Sequence, residues 1–495
     1  MKALHSPYRS VILCLIVSLQ ITGCMVGPDY RVQDAANSTV FKEIQGWQPA
    51  QPNDLAPKGN WWEAYQDPTL NQLIAQVNIN NQNILAVEAQ YRQALALVQS
   101  ARASLFPSVS ASANESRSAT ITNSAVNNFY STGLNASWEP DLWGGIRRNI
   151  EASRASAQSN AALLEAAALS ARATLAQSYF QLRIIEMQQR MYDDTIMAYQ
   201  KSLTITKNQY AAGIASQLDV NQAQATLQAT QALAIDLGIT RAQLEHAIAV
   251  LLGQAPANFS LSPQSIATDP QTGLLVSPAS RLLAHLPSVP LGIPAELLER
   301  RPDIASAERL MAAANAKIGV AQAAFYPNIT LSGSGAYQST MLPGLIGAPN
   351  QIWSVGPSIT LPLFDAGLRS ANLTQAKAFF DQSVANYRQT VLSAFQAVED
   401  NLVALRLLEN ETRIQEQAVL SARNATRIAL NQYQSGIVNY TTVVTAQITQ
   451  LNNERTLMGL LSRRLVAHVG LHAALGGGWD LAADPKIQSI RSPKK

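Results

Sequence analysis

The chain has 495 residues, of which 47% are hydrophobic and only 14% are charged, against roughly 25% charged residues in an average globular domain. This length accommodates several domains or one very elongated one. The 36 basic and 33 acidic residues nearly balance, which argues against nucleic acid and against an anionic membrane surface as partners.

The first residues of the chain resemble a bacterial lipoprotein signal. A positively charged start and a short apolar run, Val11–Leu19, precede small residues and then Cys24, which is the order of a lipobox. We therefore predict that residues 1–23 are a lipoprotein signal peptide and that Cys24 carries an N-palmitoyl and an S-diacylglycerol group. Met25 stands where Asp would favour retention in the inner membrane, so the outer membrane is expected. The alternative is an ordinary signal peptide that contains a cysteine.

An internal repeat organises the rest of the chain. Leu105-Phe106-Pro107 recurs as Phe325-Tyr326-Pro327 at an offset of 220, and Tyr210–Gly213 recurs as Tyr433–Gly436 at an offset of 223. The offset between matching residues changes by only three over more than a hundred residues, and this near-constant offset indicates duplication. The predicted units are an N-terminal lipid-anchored periplasmic segment (24–66), a first repeat (67–252), a Pro-rich equatorial linker (253–301), a second repeat (302–475) and a C-terminal tail (476–495).

Each copy contains two segments in which apolar and small polar residues alternate. An alternation with a period of two residues is typical of strands with one buried face. The four segments are Ser108–Asn114, Tyr130–Trp138, Ile329–Tyr337 and Trp353–Leu361. No run of 18 apolar residues follows residue 23, so we expect no membrane-spanning helix, and a chain that crosses the membrane then requires a closed β-barrel. Because the smallest such barrels have about eight strands, oligomerisation is predicted, and three chains would supply twelve strands.

Each copy then continues with a long helical pattern. Gly145–Gln209 and Ala366–Gln432 contain no Pro, and about 65 residues in one helix extend roughly 100 Å. The repeated Tyr-to-Gly segments interrupt the pattern, and a second helix follows each one, to about Leu252 and Leu475. The sequence therefore predicts two long helical hairpins whose apolar stripes require lateral neighbours. Several shorter helices or a filamentous coiled coil are the alternative.

Five motifs in the chain carry a family resemblance. In chain order they are Cys24-Met-Val-Gly27-Pro28-Asp29-Tyr30, Trp138-Glu-Pro-Asp141-Leu142-Trp143-Gly144, Leu297-Leu-Glu-Arg300-Arg301-Pro302-Asp303-Ile304, Leu361-Pro362-Leu363-Phe364-Asp365-Ala-Gly367 and Gly476-Gly477-Gly478-Trp479. Together they resemble the TolC-like outer membrane factors, the lipoprotein-type outer-membrane components of tripartite RND-type efflux systems. They occur in the family's order and span nearly the whole mature chain.

The resemblance implies an α+β membrane channel. Its expected form is a homotrimer with a 12-stranded antiparallel β-barrel, four strands per chain, continuous with a 12-helix periplasmic α-barrel. It implies a location in the bacterial outer membrane, contact with outer-membrane lipid, and docking to a periplasmic adaptor (membrane fusion) protein that is bound to an inner-membrane efflux pump. Drugs and other small toxic compounds would pass through unchanged, so no enzymatic activity, metal or cofactor other than the lipid is expected.

In this family the tips of the helical hairpins contact the adaptor. The resemblance places these tips at Tyr210, Gly213 and Ser216 in the first copy and at Tyr433, Gly436 and Asn439 in the second. The glycines also have a local explanation, because the end of a helix often needs a left-handed residue. Both explanations stay open.

The resemblance also marks a constriction just after the second tip, where related proteins often carry an apolar residue and, four positions on, an acid. Thr441 and Thr445 occupy these positions, and residues four apart share a helical face. Three threonines would not favour cations as three carboxylates would, so an acidic, cation-selective gate does not carry over to this chain. The first tip offers Leu218, Asp219 and Gln222 at equivalent positions.

His468 and His472 have a spacing that can chelate zinc, but Val469 stands where a zinc protease needs Glu. We interpret the two histidines as a surface pair. Two other functions stay open: a duct for type I secretion of protein or peptide, and a structural envelope lipoprotein. The second does not explain the four strands.

Overall fold

A computed structural model of the chain describes residues 25–31, 41–43, 60–119, 126–269, 274–284, 286 and 301–477. The predicted signal peptide, Cys24, parts of the predicted linker and most of the predicted tail lie outside these residues.

The secondary structure follows the predicted order. The helices are α1 (Pro68–Asn80), α2 (Gln82–Ala103), α3 (Gly145–Ala211), α4 (Gln217–Leu251), α5 (Pro278–Ala284), α6 (Pro302–Ala323), α7 (Leu368–Gln434) and α8 (Tyr440–Ala474). The strands are β1 (Ser108–Ala119), β2 (Val126–Trp138), β3 (Ala267–Thr268), β4 (Leu275–Val276), β5 (Asn328–Ser339) and β6 (Gln351–Thr360). Among the described residues, no helix has the length and apolar character needed to cross a membrane.

The two copies of the predicted repeat fold alike. The helices α2 and α6 each have 22 residues, α3 and α7 each have 67, and α4 and α8 each have 35. At 1.5 Å per residue, the two longest helices extend about 100 Å. The predicted repeat, strands and helical hairpins are therefore confirmed, and the single long helices rule out a series of shorter ones.

An aspartate a few residues before each long helix accepts hydrogen bonds from the backbone of its first turn. Asp141 accepts hydrogen bonds from the backbone N–H groups of Ile146 and Arg147, and Arg147 Nε lies 3.0 Å from its carboxylate. Asp365 accepts from the backbone N–H of Arg369 and, at 2.5 Å, from Arg369 Nε. A carboxylate here satisfies unpaired N–H groups and complements the positive end of the helix dipole. These two motifs therefore recur for a local structural reason.

Four strands form one antiparallel sheet in the order β1-β2-β5-β6. The pairing of β2 with β5 sets Trp138 opposite Leu331 and joins the two copies of the repeat. Within the described part of the chain, the outer edges of β1 and β6 pair with no other strand. Long strands with unpaired edges are ready templates for pairing with another chain, so the sheet is open to continuation on both sides.

The largest apolar core surrounds the middle of α3, where the segment before β1 and the linker both pack. Charged groups fix the linker there as well. Arg183 donates to the carbonyl of Ser262 at 2.9 Å, and Arg241 donates to the carbonyl of Leu261 at 2.7 Å. Glu186 pairs with both arginines, at 2.8 and 3.2 Å. The described part of the linker is thus bound to the helices at their midpoint.

The interpretation of His468 and His472 as a surface pair is wrong. The 3₁₀ turn Trp61–Tyr65 packs against the last turns of α8, and the two histidines are only 2% and 9% exposed. Tyr65 Oη lies 2.7 Å from His468 Nδ1, and the Trp61 ring stacks on His472. Burial, together with the nearby His468, lowers the pKa of His472 to about 3. No group of three potential metal ligands among His, Cys, Asp and Glu occurs in the described residues.

Residues 25–31, which we call the N-terminal strap, lie against the start of α3 and are held there by a buried arginine. Arg148, whose side chain is 2% exposed, donates to the carbonyl of Gly27 at 3.1 Å and pairs with Asp29 at 2.8 Å. A Cβ atom on Gly27 would lie 2.5 Å from the Cα of Gly319. Residues 25–30 of the first family motif therefore dock between α3 and α6.

Candidate functional site

The predicted tips are the turns that end the two long helices. In the first, Gly213 has φ +74° and its N–H donates to the Tyr210 carbonyl at 2.9 Å; in the second, Gly436 has φ +72° and its N–H donates to the Tyr433 carbonyl at 3.0 Å. A Cβ atom on either glycine would meet nothing within 4 Å. The backbone conformation alone therefore requires glycine, which supports the local explanation of both residues.

The helices that leave the tips begin with different caps. In the first tip, the Asp219 carboxylate accepts from the Ser216 N–H and hydroxyl, each at 2.9 Å, and the Asp219 N–H donates to the Ser216 hydroxyl at 3.2 Å. This reciprocal pair is a capping box. In the second tip, Asn439 accepts from the Thr442 N–H at 3.2 Å. The acid of the first tip is therefore engaged in starting α4.

The two tips share a small apolar core. Its buried members are Ala223, Ala429, Tyr433, Tyr440 and Val443. The Tyr433 and Tyr440 rings pack edge to face with centroids 5.0 Å apart, and Tyr433 is only 6% exposed. Tyr210, its equivalent in the first tip, is 46% exposed. The predicted docking role of both tyrosines stays a prediction, but only Tyr210 presents much of its ring to solvent.

Sequence reasoning missed two tyrosines that tie the hairpins together. Tyr440 is 1% exposed and its hydroxyl lies 3.1 Å from the Ser202 hydroxyl of α3. One turn away, the Tyr199 hydroxyl donates to the carbonyl of Gln447 at 3.0 Å. Burial raises the pKa of both phenols, so both remain neutral hydrogen-bonding groups. The sequence does give one indication of a packing role for Tyr440, because this aromatic residue directly follows Asn439, the cap of α8.

Thr441 and Thr445 lie on an open concavity of about 610 Å³ beside the second tip. Its lining residues are Ala422, Ala425, Asn439, Thr441, Thr442, Thr445, Ala446 and Thr449. The Thr445 hydroxyl donates to the Thr441 carbonyl at 2.9 Å, and the Thr449 hydroxyl donates to the Thr445 carbonyl at 2.8 Å. These back-bonds occupy the hydroxyl protons. The lining of the concavity is therefore neutral and carries no charged side chain.

The first-tip candidates do not belong to this surface. Leu218 is 63% exposed, and Gln222 is partly buried with an Oε1 atom that has no hydrogen-bond partner. Neither they nor Asp219 line the threonine concavity. The structure thus brings Thr441 and Thr445 together and leaves Leu218, Asp219 and Gln222 outside the lining of this concavity.

The chain matches the model of a protein family described as outer membrane efflux protein, over residues 73–254 and 293–477. These two segments fall on the two copies of the repeat. The match therefore extends over both hairpins and both strand pairs.

Individual proteins and structures show the same likeness over nearly the full length. The antibiotic efflux pump outer membrane protein ArpC of Pseudomonas putida is 30% identical over 98% of this chain and 99% of its own length. The cation efflux system protein CusC of Escherichia coli K12 is 30% identical over 96% of this chain and 100% of its own. The solved structure of the outer-membrane channel OprN superposes with a TM-score of 0.81 at 31% identity, and covers 92% of this chain and 100% of that one.

Proposed function

The chain belongs to the outer membrane efflux protein family, and on this premise we propose that it forms the passive exit duct of a tripartite efflux pump in the bacterial outer membrane. The duct leads drugs and other small toxic compounds from the periplasm and the inner-membrane pump to the exterior without changing them. One observation carries the proposal: a single chain joins a four-stranded sheet, whose edge strands β1 and β6 have no further partner among the described residues, to two helices of 67 residues.

The working form is a trimer. Each chain supplies four strands, and about eight are the fewest that close an outer-membrane barrel. Three chains pair edge to edge, β1 of one with β6 of the next, into a closed 12-stranded barrel. The same three chains contribute α3, α4, α7 and α8 to a 12-helix barrel in the periplasm. Closure removes every unpaired edge.

The partners are a periplasmic adaptor and an inner-membrane pump, which supplies the energy. The hairpin tips, with Gly213 and Gly436 at their apices, are the docking elements. Exposed Tyr210 and the exposed Ser216 are the first-tip groups available for contact. In the second tip Asn439 and the residues around Gly436 take this role, because the Tyr433 ring is buried.

The threonine concavity is the entrance surface of the duct. Thr441 and Thr445 line it without a charged neighbour, so the entrance selects little by charge. A neutral entrance suits amphipathic drugs of either sign. The named relatives are an antibiotic pump component and a cation system component, so the family framework accommodates solutes of different charge.

Cys24 is the proposed lipid anchor. It precedes the N-terminal strap directly, and Arg148 fixes that strap beside the start of α3. Because α3 follows β2 after only a few residues, the lipid is tethered close to the end of the sheet, where the membrane boundary lies.

The alternatives have less support. A structural envelope lipoprotein has no need of a four-stranded sheet with open edges. A type I secretion duct has the same architecture, but the relatives named above are components of efflux systems for small solutes. We therefore place efflux first.

Reconstitution tests the proposal. The full-length protein, purified in detergent, should run as a heat-labile trimer and form pores in planar bilayers. The same sample, heated to monomers before addition, is the matched control and should give no conductance. A monodisperse monomer that never conducts would refute the duct.

A further inference from the structure

Two arginines lie near the sheet without an acidic partner. Arg102 is the penultimate residue of α2, and Arg154 lies on the third turn of α3. Both side chains are partly buried, and among the described residues neither forms a side-chain hydrogen bond or an ion pair. The Nε atom of each is covered, whereas the terminal nitrogens are not, so the terminal nitrogens are the atoms that can contact a ligand.

The packing of α2 on α3 brings the two side chains together. Val98 of α2 and Ala157 of α3 belong to one small apolar cluster. Arg102 follows Val98 by four residues and Arg154 precedes Ala157 by three, so in these two antiparallel helices both arginines lie one turn closer to the sheet, on the same contact. Burial and the neighbouring charge of Arg102 lower the pKa of Arg154. The two guanidinium groups therefore repel each other without compensation.

The arginine pair lies on the same face of the helices as the N-terminal strap. Glu151, one turn before Arg154, pairs with Arg148 at 2.8 Å, and Arg148 pairs with Asp29 of the strap, also at 2.8 Å. Residues three apart share a helical face, so Arg154 points to the side on which the strap lies. Because Arg148 holds the Glu151 carboxylate, this acid does not neutralise the pair.

The pair lies close to the end of the sheet. Trp138, the last residue of β2, donates from Nε1 to the carbonyl of Leu105 at 2.9 Å, three residues after Arg102. Tryptophans in membrane proteins are enriched at the level of the lipid headgroups. Arg102 is thus within about one helical turn of the expected membrane boundary, on its periplasmic side.

The strap covers the same stretch of α3. A Cβ atom on Gly144, directly before the helix, would lie 2.5 Å from Met25 Cγ, and Tyr30 packs on the cluster that contains Ala155. The strap therefore runs about 15 Å along α3, from the residue after the proposed lipid anchor to the level of Arg154. Lipid headgroups beside that anchor are within reach of the arginine pair.

A phosphate group suits two adjacent guanidinium groups. The N–H donors of arginine form a fork that matches phosphate oxygens, and such charge-assisted hydrogen bonds are strong. Basic pockets beside membrane-spanning segments bind anionic headgroups. Acids and bases balance over the whole chain, but charges farther away than about 8 Å are largely screened at physiological salt. The local pair therefore determines which ligand is attracted.

We propose that Arg102 and Arg154 bind the phosphate of an anionic phospholipid from the inner leaflet of the outer membrane, one lipid per chain. The lipid neutralises the pair, and its acyl chains lie beside the end of the sheet. The bound lipid thus fixes the height of the junction between helices and sheet in the membrane. The site depends on the outer-membrane location of the sheet and not on the passage of solutes.

Native mass spectrometry of the full-length trimer tests the site with two lipids. Dioleoylphosphatidylglycerol is compared with dioleoylglycerol, which has the same acyl chains but no phosphate. We expect one saturable phospholipid per chain, and no saturable binding of dioleoylglycerol. Replacing both arginines, Arg102→Gln with Arg154→Gln, should weaken phospholipid binding at least about tenfold, because charge-assisted hydrogen bonds are lost.

Arg92→Gln is the matched control. It removes the same charge from an exposed position of α2, about 15 Å farther from the sheet than Arg102, and should leave phospholipid binding unchanged. An excess of inorganic phosphate separates a lipid site from a site for soluble anions. It should not displace the phospholipid, since free phosphate lacks the acyl chains that contact the membrane.

A second measurement does not depend on any variant. Cryo-electron microscopy of the trimer in nanodiscs of the same phospholipid should show a phosphate between Arg102 and Arg154. Equal binding of the two lipids, unchanged affinity in the double variant, displacement by free phosphate, or a carboxylate of another protomer in place of the lipid would each overturn the proposal. The double variant should still conduct in planar bilayers, so a failure of the lipid site is distinct from a failure of the duct.

Discussion

His472 makes the contact between α8 and the Trp61–Tyr65 turn sensitive to acid. Its side chain is 9% exposed and its Nε2 atom has no hydrogen-bond partner. Burial first, and the neighbouring His468 second, lower its pKa to about 3, against about 6.5 in an unfolded chain. When this contact opens and His472 becomes exposed to water, the imidazole binds a proton that it does not bind in the packed structure. The stability of the contact is complete above pH 6.5 and is lost progressively as the pH falls from 6.5 towards 3.

The magnitude follows from these two pKa values. Between pH 7.5 and pH 5.5 the contact loses about 1.4 kcal/mol per chain, a tenfold change in its opening equilibrium. Hydrogen exchange reports such local opening. In the wild type, protection of peptides covering residues 61–65 and 465–474, corrected for intrinsic exchange rates, should fall about tenfold over this range. In His472→Phe, which keeps a ring against Trp61 but lacks the titrating group at residue 472, the tenfold fall due to this residue should be absent.

A second histidine provides the control. His246→Phe changes an exposed residue of α4 outside the cluster, and this variant should keep the full pH response. Two outcomes would contradict the reasoning: unchanged protection in the wild type at pH 5.5, or an equal loss of protection in the wild type and His472→Phe.

Four further outcomes are expected. Thr445→Asp should shift the reversal potential in a salt gradient towards cation selectivity, because it adds one carboxylate per chain to a neutral surface; no shift would show that residue 445 does not line the entrance. Gly213→Ala should lower the stability of the first tip by about 1 kcal/mol through backbone strain, seen as faster local exchange, whereas Gly238→Ala in the exposed interior of α4 should stabilise its helix by a similar amount. Arg148→Met should free the N-terminal strap for limited proteolysis and lower stability by roughly 2 kcal/mol, the contribution of hydrogen bonds to a charged group; an intact, protected strap would contradict its role. Cys24→Ala should abolish acyl labelling while the trimer still forms, and continued labelling would place the lipid elsewhere.

The elements that the sequence predicts well are those with local causes. A long run without Pro makes a long helix, alternation makes a strand, and a helix end that needs positive φ selects Gly213 and Gly436. Because each cause operates within a few residues, the predicted bounds of the long helices lie within two residues of the observed ones.

The features that the sequence missed depend on contacts between distant segments. His468 and His472 look like a surface pair on their own helix, but Tyr65, some 400 residues earlier, covers them. The same limit applies to Arg148, whose burial depends on a strap more than a hundred residues away.

The comparison of the two tips explains how one copy of a duplicated scaffold presents an uncharged concavity beside its tip. Both tips need a cap for the helix that leaves the turn. The first uses Asp219, whose carboxylate is held within 3 Å of both the N–H and the hydroxyl of Ser216, so its charge is committed to the helix end. The second uses the uncharged Asn439, and threonines follow it. Because the caps meet the same backbone requirement by different means, the second copy can present a surface free of acids without losing its hairpin. The difference between the copies therefore lies in the side chains that follow the tips, while the helix lengths and tip glycines stay equal.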